Sequence, residues 1–577
     1  MTSETLPGSR LEPAADGGFT RRQILTILSG LMLGMFLAAL DQTVVSTAIR
    51  TIADDLQGFE IQAWATTAFL ITSTISTPLY GKLSDIYGRR PFYLAAITIF
   101  IVGSMLCGMA SSMYELAAFR ALQGLGAGGL MALALAILGD IVPPRERARY
   151  QGPFLGVWAT SSVLGPVIGG FLAGADTILG VAGWRWIFYV NVPVGVAAFF
   201  VVGRVLRLPH TRTDHRIDWP GALALVVALV PLLTVAEQGR HWGWDSGRSI
   251  TCFLISAIGL LLFLLAERAY ADEALLPLRM FRNRSFAISS VSSFIVGSGM
   301  FGTIVLLPLY LQVVKGSSPT EAGLQTLPLM LGIMIGALGS GQVIARTGHY
   351  RRFPLGGAAL LIIGLYLFHL VGADTPLWHT MIAMTIVGVG LGFNMQPVIL
   401  AVQNAVHPTE MGVATSSVTF FRQMGGTLGA AVFLSVLFST VSANIISEVA
   451  AVSRTDAFRA AAAANPGDVA LLRGGSETLD DTSFLATIDP ALARPLKVAF
   501  SESMDLVFLI AAGIIVVSLV VVAFLPDVPL RTMSGVQARQ ADAKALAAAE
   551  SAPANVHAGA GALDEGGERG RRPLVDG

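Results

Sequence analysis

Long apolar stretches dominate this sequence, and they constrain its fold more than any other feature. A helix needs about 20 mostly apolar residues to cross ~30 Å of hydrocarbon. Because lipid offers no partner to exposed backbone groups, each such stretch should be helical. Fourteen stretches qualify, near 24–49, 63–82, 92–110, 114–140, 150–174, 187–206, 218–236, 250–268, 286–313, 321–345, 354–372, 377–402, 412–442 and 501–525. The sequence therefore predicts an all-α membrane protein with fourteen transmembrane helices.

Composition supports a lipid bilayer as the surroundings of the chain. Charged residues make up 13% of the 577 residues, whereas a soluble protein carries roughly 25%. The 62 glycines suit helices that pack closely in lipid. Because the formal net charge is zero, nothing favours nucleic acid as a partner.

Arginine and lysine fall mainly in alternate loops. The loops after even-numbered helices hold seventeen of them, and the other short loops hold five. Because positively charged loops remain in the cytoplasm, we expect a plasma-membrane protein with both termini cytoplasmic. Lysine is rare and arginine abundant, which is typical of a GC-rich bacterium.

An internal repeat indicates two related halves. The Gly-x-Gly-x-Gly pattern at 124–128 recurs at 388–392, and two further matches relate helices 2 and 5 to helices 10 and 13. Duplicated halves are common in transporters. A displacement of eight helices predicts two six-helix bundles with two inserted helices between them. The predicted segments are a cytoplasmic N-terminal tail (1–22), the first bundle (23–207), the inserted helices (208–270), the second bundle (285–525) with a long extracellular loop (443–500), and a disordered cytoplasmic tail (527–577).

The loop after helix 2 combines glycines for tight turns with charges of both signs. Such a cluster can latch two helices in one conformation and release them in another. The loop after helix 10 is a degraded copy, in which Ala345 stands in the place of the aspartate. The residues of this predicted latch are Gly81, Asp85, Gly88, Arg89 and Arg90.

Two charges lie inside predicted spans of the first bundle. Asp41 in helix 1 and Arg120 in helix 4 both sit ~10 Å below the outer surface, so they are able to pair. A charge at mid-bilayer costs ~2.5–3.5 kcal/mol on insertion scales and is rarely without function. A carboxylate whose protonation changes with conformation would couple protons to transport. A fixed structural ion pair is the alternative.

Two strings of this sequence resemble signatures of the major facilitator superfamily. The loop at 81–91 is similar to the superfamily's loop motif, and Gly165-Pro166-Val-Ile-Gly169-Gly170 is similar to its antiporter motif. Proline would kink helix 5 there, and the glycines would admit a close neighbour.

Further strings place the resemblance in the fourteen-helix drug/proton antiporter branch. They are Leu40 to Val45, Arg120 to Gly124 and the segment from Trp184 to Pro193, and the resemblance covers about residues 20–530. It implies the major facilitator fold, small amphipathic substrates, and a proton gradient as energy source with no cofactor.

We therefore expect a monomeric secondary transporter, not an enzyme, that exports amphipathic drugs or similar small molecules in exchange for protons. The alternative is a dedicated exporter of one endogenous molecule, such as a self-made antibiotic or a lipid. A membrane-embedded enzyme is disfavoured because no nucleophile–base pair lies near a predicted membrane surface, and no metal site is expected. Candidate cavity residues are Gln123, Asn394, Gln396 and Arg422. Arg422 either faces the cavity or binds a backbone carbonyl.

Overall fold

Long helices account for nearly all of this computed structural model, which describes residues 19–58, 61–208, 217–465 and 488–551. A short antiparallel hairpin, β1 (Thr177–Ile178) with β2 (Val181–Ala182), precedes the sixth helix. The first seven helices are α1 (Arg21–Asp55), α2 (Gln62–Tyr87), α3 (Arg89–Met109), α4 (Met113–Ile141), α5 (Pro144–Ala173), α6 (Arg185–Tyr189) and α7 (Asn191–Val205).

Two helices then lead to the second half of the chain. They are α8 (Trp219–Trp242) and α9 (Gly247–Tyr270), followed by 3₁₀ turns at Ala271–Glu273 and Leu278–Arg282. The remaining helices are α10 (Arg284–Val313), α11 (Pro319–Gln325), α12 (Leu327–Thr347), α13 (Arg352–His369), α14 (Leu377–Ala405), α15 (Met411–Val452), α16 (Asp456–Ala464), α17 (Pro490–Ala523) and α18 (Gly535–Ser551), with a 3₁₀ turn at Pro408–Glu410 before α15.

Twelve spans within the described residues are long and apolar enough to cross a bilayer. Helices α2 and α5 occupy two further predicted spans but are not among the twelve, so the count of fourteen stays a prediction. Lipid exposure is clearest on α9, where Leu254, Ile258 and Leu261 are each more than half exposed. A contiguous exposed surface of large apolar side chains, such as that of α9, is unfavourable in water and favourable against the hydrocarbon of a bilayer.

The repeated glycine pattern has the same structural role in both halves. A Cβ at Gly124 of α4 would lie 2.4 Å from the carbonyl oxygen of Phe69 in α2. A Cβ at Gly388 of α14 would lie 2.2 Å from the carbonyl oxygen of Leu329 in α12. Only glycine allows these helices to approach so closely. These glycines hold α4 against α2 and α14 against α12.

The halves meet mainly along two helix pairs, α2 with α15 and α5 with α12, and α4 also contacts α15. Helices α8 and α9 pack mainly on each other, and α8 also contacts α2 and α15. An apolar cluster that includes Ile75, Leu229 and Val418 joins the first half, α8 and the second half. The boundaries predicted for the bundles and the inserted helices stay a prediction.

Two predicted segments need correction. In the loop predicted at 443–500, α15 continues to Val452, α16 follows, and α17 begins at Pro490, which leaves 466–487 outside the described residues. The tail predicted as disordered at 527–577 is ordered as far as Ser551, and only the rest lies outside the description. Its content of alanine, glycine and charged residues had suggested disorder, but the alanines of α18 are strong helix formers.

Candidate functional site

Asp41 and Arg120 lie in direct contact at the centre of the first half. Nη1 of Arg120 donates to Oδ2 of Asp41 over 2.5 Å, and each residue is only 1% exposed. Nε of Arg120 donates to the carbonyl oxygen of Ala65 over 3.2 Å, and the guanidinium lies 4.1 Å from the centre of the Phe69 ring. The two charges therefore form a buried ion pair between α1 and α4, whose cation also has partners on α2.

Two carboxamides complete the surroundings of the Asp41 carboxylate. Nε2 of Gln123 and Nδ2 of Asn191 each donate to Oδ1 of Asp41 over 2.8 Å. Gln123 also accepts from Nη1 of Arg120 over 2.7 Å, and Asn191 also donates to Oγ of Ser104 over 3.0 Å. Three side-chain donors thus satisfy the two carboxylate oxygens, as a buried charge requires. We call Asp41, Arg120, Gln123 and Asn191 the buried charge site.

Asn191 was not among the residues predicted for the site. It begins α7, directly after the separate short helix α6, and only the tertiary fold brings it to Asp41. The sequence signal available was a polar residue inside an apolar span, two positions before Pro193. Gln123, which was predicted as a cavity residue, belongs instead to the buried charge site and is fully buried.

Close packing of α5 against α1 runs beside the buried charge site. A Cβ at Gly165 would lie 2.1 Å from Oγ1 of Thr43, and one at Gly169 would lie 2.2 Å from Oγ1 of Thr47. A Cβ at Gly170 would meet nothing within 4 Å, so the predicted packing role fails for this glycine. The side chain of Pro166 lies outside the described part of the chain, and the predicted kink stays a prediction.

The predicted latch lies at the end of the bundle where α2 meets the start of α15. The Asp85 carboxylate accepts from the backbone N–H groups of Gly412 over 3.1 Å and Val413 over 2.8 Å. Its Oδ1 also pairs with Nη2 of Arg89 over 2.6 Å. Burial raises the pKa of the Asp85 carboxyl, and Arg89 and the Val413 N–H oppose that shift. One carboxylate of the first half therefore caps a helix of the second half.

The latch extends through Arg89 and depends on two glycines. Nε of Arg89 pairs with Oδ2 of Asp140 at the end of α4 over 2.8 Å. A Cβ at Gly81 would lie 1.9 Å from Oγ of Ser416, and Gly88 has a φ of 100°, which favours glycine. Arg90 is not part of this network, since its guanidinium donates to a backbone carbonyl of α7.

The other predicted cavity residues are not brought to the buried charge site. Asn394 donates from Nδ2 to the carbonyl oxygen of Gly390 in its own helix over 3.0 Å. Its Oδ1 and Oε1 of Gln396 are buried without a protein partner in the described structure. Arg422 makes no hydrogen bond or ion pair with any residue described, so the predicted alternative of a carbonyl contact finds no support.

No group of three or more His, Cys, Asp and Glu residues is placed to hold a metal ion within 19–58, 61–208, 217–465 and 488–551. The side chains of the buried charge site supply a carboxylate that can take up a proton, a permanent cation and two amides.

Comparisons with known proteins agree with this architecture. Residues 31–430 match the Major Facilitator Superfamily. Multidrug resistance protein 3 of Bacillus subtilis is 34% identical over 508 residues, covering 88% of this chain and 96% of that protein. Multidrug transporter protein MdtP of the same organism is 33% identical over 493 residues, covering 85% and 88%. A double tryptophan mutant of XylE has a similar fold, with a TM-score of 0.56, 15% sequence identity and coverage of 89% of this chain and 98% of that one.

Proposed function

Because this chain belongs to the major facilitator superfamily, and is thus a multi-pass membrane transporter of small molecules, we propose that it exports amphipathic drugs or similar compounds in exchange for protons. It works in the plasma membrane of a bacterium as a monomer, with both termini in the cytoplasm. The names of the two Bacillus subtilis relatives support export of more than one drug. The seventeen cationic residues of the alternate loops support the orientation.

The buried ion pair of Asp41 and Arg120 is the observation that carries the proposal. Three side-chain donors contact the carboxylate of Asp41, which is 1% exposed, and a buried charge depends on such partners. A movement of α1 relative to α4 or α7 removes donors and favours the protonated acid. Proton uptake and helix movement are thereby linked through one side chain.

Arg120 keeps partners when Asp41 is neutral. Gln123 accepts from Nη1, Ala65 accepts from Nε, and the Phe69 ring lies under the guanidinium. A lone buried cation is expensive, and these contacts reduce that cost. Protonation of Asp41 therefore leaves a state that the fold tolerates, which a coupling site requires.

The latch supplies the second element of an alternating-access cycle. Its contacts join the first half to the second where α2 meets the start of α15. We call this end of the bundle the arginine-rich end, after the arginines of its loops, and assign it to the cytoplasmic side. Breaking them opens that end to a substrate from inside. One proton entering across 100 mV supplies ~2.3 kcal/mol, plus ~1.4 kcal/mol per unit of pH gradient.

Purified protein in vesicles that contain the pH indicator pyranine would test this function. An outward gradient of an amphipathic dye such as ethidium is expected to drive protons inward, and an ionophore is expected to abolish the pH change. Dye movement without proton movement, or with protons moving in the same direction, would contradict antiport.

A further inference from the structure

Asn191 is the one partner of Asp41 whose hydrogen bonds can reverse. Arg120 carries only donors. The oxygen of Gln123 already accepts from Arg120 Nη1 over 2.7 Å and from the Cys107 thiol over 3.6 Å. Asn191 offers both an N–H donor and a carbonyl acceptor, and its Nδ2 now bridges Asp41 and Ser104.

The hydrogen bonds of Ser104, which contacts Asn191, can reverse at the same time. The Ser104 hydroxyl accepts from Asn191 and donates to the carbonyl oxygen of Phe188 over 2.8 Å. When a proton arrives on Oδ1 of Asp41, half a turn of the Asn191 amide places its oxygen against the new O–H group. The serine hydroxyl can then donate to that same oxygen, since a hydroxyl both donates and accepts.

We propose that Asn191 is a positioning residue that keeps Asp41 hydrogen-bonded with and without its proton, and so sets the pH at which exchange occurs. This rests on the proposed coupling role of Asp41. The step moves one proton from water to a carboxylate oxygen and breaks no covalent bond. If Asn191 served only to fill space, its substitution would lower the activity without moving the pH dependence of exchange.

Asn191→Leu removes both amide functions and keeps the number and branching of the side-chain heavy atoms, and dye-driven proton exchange is measured from pH 5 to pH 9. Hydrogen bonds to a charged group are stronger than those to a neutral one, so the carboxylate loses more than the acid. We expect the midpoint of the pH profile to rise by about one unit. Ser104→Ala should move it in the same direction by a smaller amount. Asn444→Leu, which removes a comparable contact to Ser503 in the second half, should leave it in place.

Unmoved midpoints in both Asn191→Leu and Ser104→Ala would overturn the inference. Asp41→Asn in the same assay distinguishes a failure of this inference from a failure of the proposed function. If Asp41→Asn still exchanges protons, the coupling role of Asp41 is wrong. If Asp41→Asn is inactive and the other two variants keep the normal midpoint, only the role of Asn191 is wrong.

A second inference concerns residues 526–551, which we call the C-terminal strap. The strap starts on the second half, where Asn404 donates from Nδ2 to the carbonyl oxygen of Pro529 over 3.1 Å and accepts from the N–H of Arg531 over 2.9 Å. It ends on the first half, where Nη1 of Arg539 pairs with Oδ1 of Asp140 over 2.8 Å. Asp140 and Asn404 are equivalent positions of the internal repeat.

Arg539 binds both halves at the same time. The same Nη1 that pairs with Asp140 donates to the carbonyl oxygen of Pro408, which precedes α15, over 2.9 Å. Val536 of the strap is 1% exposed and lines the same cavity as Asp85 and Arg89. Opening of this end would separate Asp140 from Pro408, so Arg539 could no longer bind both.

We infer that the C-terminal strap is a clasp that binds the closed arginine-rich end in preference to the open one, and so slows its opening. Truncation after Met533 removes α18 and Arg539 but keeps the contacts of Asn404. Arg539→Ala removes one side chain and leaves the strap present. Arg494→Ala, which breaks an exposed ion pair with Asp374, is the matched control.

Opening is measured as a distance between spin labels at Glu146→Cys and Thr347→Cys, two exposed positions on opposite halves at this end. The background carries Cys252→Ala, and Cys107 is fully buried. We expect the open population to rise at least threefold in the truncated protein and in Arg539→Ala, and to stay constant in Arg494→Ala. A constant open population in both strap variants would overturn the clasp.

Discussion

The last turns of α2 and α12 carry copies of one motif, but they bind the opposite half differently. In α2, the Asp85 carboxylate accepts two backbone N–H groups at the start of α15 and pairs with Arg89. In α12, the backbone carbonyl oxygens of Ala345 and Arg346 accept from the exposed Arg145, over 3.1 Å and 3.5 Å. The α2 copy of the motif thus binds the opposite half through a buried charge, and the α12 copy binds it through backbone carbonyls and one exposed arginine.

This difference indicates how a duplicated fold divides its roles. A hydrogen bond to a charged group contributes about 1.5–3 kcal/mol when it is buried, and solvent lowers the contribution of an exposed cation such as Arg145 to about 1 kcal/mol or less. The buried contacts of Asp85 should therefore resist opening more than the exposed hydrogen bonds of Arg145 do. Variants on the two sides can test this asymmetry.

Asp85→Asn should have the largest effect. The amide keeps the volume of the side chain but loses the charge that strengthens three contacts. We expect the closed state to weaken by about 3 kcal/mol, roughly a hundredfold in the ratio of closed to open protein. Transport rate should fall by at least tenfold, while equilibrium dye binding stays nearly unchanged. Asp374→Asn, at an exposed ion pair, is the control. Loss of dye binding with normal cycling would place Asp85 in a different role.

Gly81→Ala should have an intermediate effect. The added Cβ would lie 1.9 Å from Oγ of Ser416, so α2 and α15 could no longer approach as closely. Overpacking of this kind costs ~1–3 kcal/mol, and we expect transport to fall by about tenfold. Gly339→Ala on α12 is the matched variant, because a Cβ there would meet nothing within 4 Å. Equal losses in both variants would show that helix propensity, not the close contact, is responsible.

Arg145→Ala should have the smallest effect. It removes one exposed hydrogen bond to Ala345 and a longer one, of 3.5 Å, to the carbonyl oxygen of Arg346. We expect transport to change by no more than about threefold, which corresponds to less than ~1 kcal/mol. A loss as large as that in Asp85→Asn would mean that the two sides of the end are equivalent.

Much of this architecture could be predicted from local sequence patterns. Span length predicted the long helices. The glycine repeat indicated two related halves, and in the structure its glycines make equivalent close contacts in α4 and α14. The structure also brings Asp41 to Arg120, as their similar depths suggested. Asn191 and Arg539 were missed because each reaches its partner from a distant part of the chain. Hydropathy alone does not reveal such polar contacts.

Proton exchange by Asp41→Asn is the most direct test of the central claim, that a proton on Asp41 is linked to transport. Asparagine imitates the protonated acid and cannot release a proton. In pyranine-loaded vesicles, we expect dye-driven proton movement to disappear while equilibrium dye binding remains. Asp54→Asn, at an exposed position near the end of the same helix, should behave as the unmodified protein. Proton movement by Asp41→Asn at the normal ratio to dye would contradict the account.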